Sequence, residues 1–257
     1  MKKTTLFVLI GLLHMGLSAQ NNAREYYQLR LYSLANDTQE QLTDTYLEEA
    51  FLPSLKRYGI ENVGVFKTRN TGSDTDRTIY VLIPFKSIIE FALLDDTLVK
   101  DKTHQELGKS FLDAPHDRPP YARMESVLMK AFVDMPQMKT PKLEGPREDR
   151  IYELRSYEAA TENKYRNKVK MFNEGGEIPL FEELGFQAVF YAEVLSGSHM
   201  PNLMYMTVHE NQDSRDASWR SFREAPKWLR LKANPDYQNN VSKNDTLFLY
   251  PTEYSDY

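Results

Sequence analysis

Apolar and polar residues alternate strictly in two short segments of the chain, one near its start and one past its middle. The segments are Tyr26–Leu31 and Ile151–Ser156, and a period of two residues predicts β-strands with one buried face. After the first segment the apolar residues recur at helical spacing instead, at Leu42, Tyr46, Leu47, Phe51 and Leu55. The pattern therefore predicts a strand that leads into a long amphipathic helix.

Local signals indicate where such helices begin, bend and end. Asp37-Thr-Gln-Glu40 has the residue order of a capping box, which predicts the start of the first helix. Gly59 and Gly185 stand where the C-terminus of a helix favours a residue with positive φ. Pro53 and Pro179 precede these glycines, so each long helix should kink before its last turn.

Each predicted helix is followed by a β-hairpin, a second helical region and a closing strand. The hairpins are Val63–Thr68 with Thr78–Pro84 and Ala188–Leu195 with Leu203–His209, and their turns contain Asn70-Thr-Gly-Ser and Ser196-Gly-Ser-His. The second helical regions are about Ser87–Leu112 and Ser214–Lys232, and the last strands lie near Arg123–Phe132 and Asp245–Tyr250. The resulting β-α-β-β-α-β order is that of the ferredoxin-like unit, which places the chain in the α+β class.

This unit occurs twice. Tyr27–Tyr32 returns as Tyr152–Tyr157 at an offset of 125 residues, and Tyr80 returns as Tyr205 at the same offset. The proline and glycine of the first long helix return at an offset of 126, as Pro179 and Gly185. Matches in one order at nearly constant spacing indicate an internal repeat. We therefore predict a signal peptide at residues 1–19, a first repeat at 20–134, a proline-rich linker at 135–149 and a second repeat at 150–257.

The first nineteen residues have the pattern of a secretory signal peptide. Lys2 and Lys3 precede the apolar run Leu6–Leu13, and Ala19 is a small residue at the expected cleavage position. The alternative is a membrane anchor, but the run is shorter than the ~20 apolar residues that span a bilayer. We expect cleavage near Gln20 and a periplasmic or secreted protein that has no membrane association once the signal is removed.

Charge and cysteine content exclude several classes of function. Loss of Lys2 and Lys3 with the signal peptide changes the formal net charge from −5 to −7. An acidic protein lacks the cationic surface that nucleic-acid binding requires, so we expect no nucleic-acid partner. The chain contains no cysteine, which excludes disulfides, thiolate nucleophiles and cysteine-ligated metal sites.

Three segments of the second repeat resemble NIPSNAP domains. They are Tyr152-Glu-Leu-Arg-Ser-Tyr157, Ile178-Pro-Leu-Phe-Glu-Glu-Leu-Gly185 and Trp219-Arg-Ser-Phe-Arg-Glu-Ala-Pro-Lys-Trp228. The first repeat resembles the family more weakly, because it has Gln28 where the family has glutamate, lacks the tryptophans and carries an extra stretch around Asp95–Pro120. Any activity tied to the tryptophan helix would therefore belong to the second repeat.

The resemblance implies a dimeric α+β barrel, in which two ferredoxin-like sheets close face to face. The two tandem ferredoxin-like repeats could supply both halves of this barrel within one chain, or two chains could pair. A homo-oligomer is the expected assembly. The family resemblance implies no defined reaction.

The strand pattern separates two faces of the first strand of each repeat. Tyr27 and Leu29, with Tyr152 and Leu154, form the apolar face, which we expect to pack on the helices. The opposite face carries Gln28, Arg30 and Tyr32 in the first repeat and Glu153, Arg155 and Tyr157 in the second. We expect that face to point into the barrel.

An arginine beside a tyrosine suits an anionic ligand, because the guanidinium can donate two hydrogen bonds to one carboxylate. The candidate ligand-binding residues are Arg30, Tyr32, Glu153, Arg155, Tyr157 and Tyr205. The alternative is that Arg155 forms a structural ion pair with Glu153 or with an acidic residue across the interface. His209, at the end of a strand, and Tyr157 are the candidates for acid–base catalysis.

The remaining histidines and aromatic residues give weaker signals. Asp113, His116 and Asp117 could contact a metal, but their spacing matches no known site and neighbouring prolines indicate an exposed loop, so we expect no metal. Neither long first helix contains a histidine that could ligate haem, and no phosphate-binding or dinucleotide motif is present, so we expect no cofactor. Trp219 and Phe222 could stack on a ligand, but core packing of the helix is the commoner arrangement.

Two functions remain open at this point. In the first, the barrel binds or converts a small molecule, which could be anionic, aromatic or a sugar. In the second, the protein is a non-catalytic binding or assembly protein whose paired sheets form an oligomer interface. Fold analogy alone does not decide between them.

Overall fold

The computed structural model of the protein describes residues 23–69 and 77–257. The predicted signal peptide (1–19) and the turn predicted at residues 70–73 lie outside the described residues. The first repeat contains β1 (Tyr26–Ser33), α1 (Asp37–Tyr46), a π-helical turn (Leu47–Phe51), α2 (Leu52–Arg57), β2 (Gly64–Thr68), β3 (Thr78–Phe85), α3 (Ile88–Lys100), α4 (Lys102–Leu107), α5 (Lys109–Leu112) and β4 (Arg123–Ala131). The second contains β5 (Ile151–Glu158), α6 (Glu162–Phe172), α7 (Glu177–Glu183), β6 (Gln187–Ser196), β7 (Asn202–His209), α8 (Gln212–Glu224), α9 (Pro226–Ala233) and β8 (Lys243–Pro251), with 3₁₀ turns at Arg147–Asp149 and Pro235–Tyr237.

The eight strands form one closed antiparallel barrel in the order β1-β3-β2-β8-β5-β7-β6-β4. Within each half the order is that of a ferredoxin-like sheet, β4-β1-β3-β2 and β8-β5-β7-β6. The halves join where β2 pairs with β8 and β4 pairs with β6. Closure removes every sheet edge, which would otherwise expose unpaired backbone groups. The α+β prediction is confirmed, and the tandem repeats supply both halves of the barrel within one chain.

The interior of the barrel is apolar, and this corrects the predicted direction of the first strands. Tyr27 and Leu29 of β1 and Tyr152 and Leu154 of β5 belong to one buried cluster that draws side chains from all eight strands. These residues therefore face into the barrel, and the prediction that they pack on the helices is wrong. An eight-stranded barrel has an interior just wide enough for side chains to fill, so the inward faces of the two sheets pack directly against each other there.

The opposite face of each sheet packs against that half's own helices. In the first half this layer includes Tyr32, Leu47, Phe51 and Leu94, and in the second it includes Phe172, Phe181, Tyr205, Trp219 and Phe222. The face with Arg30 and Arg155 therefore lies between sheet and helices. A polar residue on this face must find its partners among other side chains of the strand and the helices, because water has little access there.

The predicted glycine ends of the long helices are confirmed, whereas the predicted cap of the first helix is displaced by one residue. Gly59 and Gly185 end α2 and α7 with φ of +74° and +82°. The first helix is capped one residue earlier than predicted, because the side chain of Asn36 accepts a hydrogen bond from the backbone N–H of Gln39. A π-helical turn immediately precedes α2, which has Pro53 in its first turn, so the helix continues through a change in hydrogen-bonding pattern.

One match in the repeat is out of register. Tyr80 pairs with Leu31 of β1, whereas Tyr205 pairs with Arg155 of β5. Since Arg155 corresponds to Arg30, and Arg30 pairs with Val81, Tyr205 corresponds to Val81 and not to Tyr80. A slip of one residue reverses the face of a strand, so Tyr80 lies in the barrel core and Tyr205 lies under the helices.

Candidate functional site

Glu153 of β5 is a fully buried carboxylate that accepts hydrogen bonds from three side chains. Arg155, two residues along the same strand face, donates from Nε at 2.7 Å and Nη2 at 2.6 Å to Oε1. Arg215 donates from Nε at 2.8 Å to Oε2 and from Nη2 at 3.1 Å to Oε1. The indole Nε1 of Trp219 donates to Oε2 at 2.9 Å. Donors thus surround both oxygens of Glu153.

Helix α8 brings Arg215 and Trp219 to this carboxylate. A capping box starts the helix, in which the Asn211 side chain accepts from the backbone N–H of Ser214 while the Ser214 hydroxyl accepts from the backbone N–H of Asn211. Trp219 and Phe222 are buried against the sheet, and this packing sets the rotation of the helix about its axis. The core prediction for these two aromatic residues is confirmed.

The charge state of Glu153 follows from two opposing effects. Burial raises the pKa of a carboxyl group, because it removes water from the charged form. The hydrogen bonds and positive charges of Arg215 and Arg155, together with the indole of Trp219, outweigh burial and lower the pKa of Glu153 below its ordinary value. Glu153 is therefore an anion at neutral pH, and it holds both guanidinium groups in place.

Arg155 links this carboxylate to a pair of tyrosines. Its guanidinium lies over the Trp219 ring, 4.1 Å from the centroid, and its Nη1 donates to the Tyr157 hydroxyl at 3.2 Å. The Tyr157 and Tyr205 hydroxyls are hydrogen-bonded at 2.9 Å. Burial raises the pKa of Tyr205 well above its ordinary value, so this phenol stays protonated.

A cavity of about 410 Å³ opens above these residues, between the sheet and helices α6, α7, α8 and α9. Its cationic lining residues are Arg155, Lys168, Arg215, Arg223 and Lys232. Its aromatic lining residues are Tyr157, Phe181, Trp219, Phe222 and Trp228. Among the described residues that line this cavity, Glu177 is the one carboxylate. The cavity therefore combines positive charge with aromatic walls.

In the first half, the arginine that corresponds to Arg155 has different partners. Arg30 donates from Nε to the amide oxygen of Gln28 at 2.9 Å and from Nη2 to Asp95 of α3 at 2.9 Å. Asp95 is the eighth residue after the N-cap Ser87, as Trp219 is after Asn211. The carboxylate that pairs with the strand arginine thus comes from the helix in the first half and from the strand in the second.

The extra stretch of the first repeat packs over this position. Phe111 of α5 stacks on Tyr46 with ring centroids 4.0 Å apart, and it also contacts Tyr32. His104 of α4 is buried, with Nδ1 3.2 Å from the Ser54 hydroxyl. Side chains of the first repeat itself therefore cover the face on which the second repeat has its cavity.

Comparison with known proteins also distinguishes the second half from the first. The sequence profile of the NIPSNAP family matches residues 152–256, which contain the strand with Glu153 and the helix with Trp219. The second half is a NIPSNAP domain. No curated protein matches the chain in sequence.

The complete two-half barrel is similar to solved structures of low sequence identity. A candidate monooxygenase from Lactobacillus acidophilus NCFM is 9% identical with a TM-score of 0.57, over 89% of this chain and 94% of the other. A candidate monooxygenase from Fusobacterium nucleatum is 13% identical with a TM-score of 0.56, over 89% and 93%. An anthrone oxidase-like protein is 11% identical with a TM-score of 0.50, over 89% and 92%. At these identities the similarity establishes the fold alone.

The predicted ligand-binding residues fall into two places. Glu153, Arg155, Tyr157 and Tyr205 come together in the NIPSNAP domain, but under the helices and not inside the barrel as predicted. Arg30 and Tyr32 lie in the separate cluster of the first half, also outside the barrel interior. The alternative interpretation, that Arg155 pairs with Glu153, is confirmed by the 2.6 Å contact.

His209 stands apart from the cavity of the NIPSNAP domain. It is buried, its ring lies 5.2 Å from that of Phe186, and its Nε2 has no hydrogen-bond partner within the described chain. Burial lowers the pKa of His209 to about 4. The histidine is therefore neutral at physiological pH and is not among the residues that line the cavity.

Among residues 23–69 and 77–257, no group of three or more His, Cys, Asp or Glu side chains could hold a metal ion.

Sequence reasoning missed Arg215, Lys168 and Glu177. Arg215 lies four residues before Trp219, so it shares the buried side of α8, and a charged residue at that spacing was an available signal. Lys168 of α6 and Glu177 of α7 meet across a break in the helix, with Nζ and Oε2 2.8 Å apart. Their separation of nine residues matches no single helix face, so the pattern did not reveal them.

Proposed function

We propose that the NIPSNAP domain binds a small organic anion in the cavity between its sheet and helices. The observation that supports this proposal most directly is the lining of that cavity, with five cationic side chains and one carboxylate. Glu153 lies beneath the surface and neutralises part of this charge through Arg155 and Arg215. A net positive, partly enclosed surface remains on a protein whose overall charge is negative.

Arg155 retains the hydrogen-bonding capacity to hold such an anion. A guanidinium has five N–H donors, and the Nε, Nη1 and Nη2 atoms of Arg155 engage Glu153 and Tyr157 with one contact each. The remaining N–H donors of Arg155 lie on its two terminal nitrogens, Nη1 and Nη2. Arg155 is one of the residues that line the cavity. Its stacking on Trp219 and its pairing with Glu153 restrict its rotamers before a ligand arrives, which reduces the entropy lost on binding.

The aromatic walls suit an anion with a flat or apolar body. Phe222 and Trp228 lie with ring centroids 4.5 Å apart, and Phe181 stacks on Phe222 at 4.7 Å. The cavity volume of about 410 Å³ is within the range of small-molecule sites. An aromatic or branched carboxylate would satisfy both the charge and the shape of this cavity.

The assembly hypothesis receives less support from the fold. The sheet faces that two chains would use to pair are already packed against each other inside one chain. Association between chains would have to use other surfaces, and a homo-oligomer stays a prediction. Export to the periplasm or beyond also stays a proposal, based on Lys2, Lys3 and the apolar run that follows them.

A binding measurement with a matched arginine pair tests the proposed function. Isothermal titration of residues 20–257 with benzoate, phenylacetate and related carboxylates should detect a ligand for the wild-type protein. Arg155→Met should then weaken binding about ten- to a hundredfold, from loss of a charge-assisted contact worth ~1.5–3 kcal/mol. Arg30→Met, which changes the corresponding arginine of the first half, should leave affinity unchanged. Equal losses in the two variants, or no binding of any organic anion to the wild type, would contradict the proposal.

A further inference from the structure

Lys168 and Glu177 form a nearly buried ion pair at the wall of the cavity. Nζ of Lys168 and Oε2 of Glu177 are 2.8 Å apart, and their side chains are 8% and 3% exposed. The ammonium group also lies 4.6 Å from the Phe172 centroid, 5.7 Å from Tyr157 and 5.9 Å from Trp228. The pair is thus an amine and a carboxylate in an aromatic enclosure that opens to the ligand cavity.

The fold of the repeat does not need this ion pair. Lys168 is the seventh residue after the N-cap Thr161, and the seventh residue after the N-cap Asn36 in the first half is Thr43. Glu177 lies two residues before Pro179, and the residue two before Pro53 is Phe51. The first repeat therefore has an uncharged pair at the corresponding positions of its helices α1 and α2 and the π-helical turn between them. Because burying two charges rarely adds to stability by itself, the pair requires another explanation.

A lysine in such surroundings is suited to nucleophilic chemistry. Lysines that form imines with carbonyl compounds commonly lie in pockets from which water is excluded. Lys168 shares its cavity with Arg155 and Arg215, and Glu177 is placed to take its proton. Transfer of that proton leaves an amine and a carboxylic acid, so the total charge of the pair does not change.

We propose that Lys168 captures the carbonyl group of a small 2-oxo acid as an imine, with Glu177 as the proton carrier. This proposal rests on the proposed function, because the carboxylate of the 2-oxo acid would bind to the cationic lining that includes Arg155. The carbonyl carbon lies next to that carboxylate, and it is the atom that the Lys168 amine attacks. The carboxylate of the ligand thus faces the cationic lining with Arg155, and its carbonyl group faces the amine of Lys168.

The reaction balances without an oxidant or reductant. Glu177 accepts a proton from the Lys168 ammonium, the amine attacks the carbonyl carbon, and the amine proton moves to the former carbonyl oxygen. Protonated Glu177 then gives its proton to the hydroxyl group, which leaves as water while the C=N bond forms. The products are a protonated imine, which keeps its ion pair with the Glu177 carboxylate, and one molecule of water.

Reductive trapping tests this proposal on residues 20–257. Residues 20–257 are incubated with pyruvate or phenylpyruvate, reduced with sodium borohydride and analysed by intact mass and peptide mapping. The expected result is one stable secondary amine at Lys168. Lys170 is the matched control, because it lies on the same helix and pairs with Glu174 at 3.5 Å but is 53% exposed. Trapping at Lys170 to the same extent as at Lys168, or no trapping at Lys168, overturns the proposal.

Two variants separate chemistry from folding. Lys168→Arg keeps the positive charge beside Glu177 but cannot form an imine, so the adduct should be lost. The double variant Lys168→Thr with Glu177→Phe introduces the residue types of the first repeat, and it should fold and also lose the adduct. If the adduct persists in either variant, another amine is responsible and the assignment is wrong.

Phenylacetate, which has the carboxylate but no carbonyl group, distinguishes the two proposals. If phenylacetate binds the wild type and Arg155→Met weakens that binding, while phenylpyruvate gives no adduct at Lys168, the imine proposal fails and the proposed function stands. If neither acid binds, the proposed function fails, and the imine proposal fails with it.

Discussion

The guanidinium of Arg155 lies flat over the indole ring of Trp219, 4.1 Å from its centroid, while both side chains donate hydrogen bonds to Glu153. This arrangement joins a strand to a helix through one buried carboxylate. It gives the arginine a fixed position at the wall of the cavity. Because Glu153 is the shared acceptor, its removal breaks more hydrogen bonds than removal of Arg155 or Trp219 alone.

The two partners of this ion pair should therefore differ in their effect on stability. Arg155→Met leaves Glu153 with Arg215 and Trp219 as donors, whereas Glu153→Gln leaves two guanidinium groups without their carboxylate. We expect Glu153→Gln to cost about 3–5 kcal/mol, the range for a broken buried pair, and Arg155→Met to cost less. Urea denaturation followed by circular dichroism measures both free energies of unfolding. The reverse order would show that Arg155, and not Glu153, organises this cluster.

His209 should make the stability of the protein depend on pH. Its pKa in the folded state is lowered to about 4 from 6.5, so the unfolded state binds a proton more readily. Stability is therefore complete above the unfolded pKa and falls as pH decreases from about 6.5 towards 4, by about 3 kcal/mol in total. His209→Gln should flatten this part of the pH profile, measured by thermal denaturation at several pH values. His199→Gln is the control, because His199 is exposed, and an equal flattening there would contradict the assignment.

Gly59 and Gly185 should respond equally to substitution by alanine. Both have positive φ, and a Cβ atom added at either position would meet no atom within 4 Å. The cost is therefore backbone strain alone, about 1–2 kcal/mol at each site. Equilibrium unfolding of Gly59→Ala and Gly185→Ala measures it. A cost near zero at one site would mean that the end of that helix adopts another conformation in solution.

The mature protein should begin within a residue or two of Gln20. The basic start at Lys2 and Lys3, the apolar run Leu6–Leu13 and Ala19 are the reasons for this expectation. Intact-mass measurement of the protein from the cell envelope or the medium decides it. A mature chain that still contains Leu6–Leu13 would identify a membrane anchor instead.

Local patterns were sufficient for the order of elements. All eight strands end within two residues of their predicted limits, because a period of two and the turn residues between strands are properties of short segments. The C-terminal glycines of the long helices were found for the same reason, since positive φ at Gly59 and Gly185 depends on the local chain. The capping residue was misplaced by one position, because both Asn36 and Asp37 can accept from the first turn and only the folded structure selects Asn36.

Register could not be predicted from the match of two tyrosines. Tyr80 and Tyr205 occupy similar sequence surroundings, yet their strand partners Leu31 and Arg155 lie on opposite faces. A tyrosine is accepted in both places, because its ring packs in an apolar core and its hydroxyl can also reach a polar neighbour such as Tyr157. Side-chain type alone therefore does not identify the partner strand.

The sequence by itself determined that the chain is a doubled ferredoxin-like unit and that Glu153, Arg155 and Tyr157 share one face of a strand. Only the tertiary structure decided where that face points. In a closed barrel both faces of a strand are buried, one by the opposite sheet and one by helices, so alternation marks two faces without ranking them. The second arginine partner of Glu153 was also beyond local reasoning, because Arg215 lies 62 residues away and meets Glu153 only when α8 packs on the sheet.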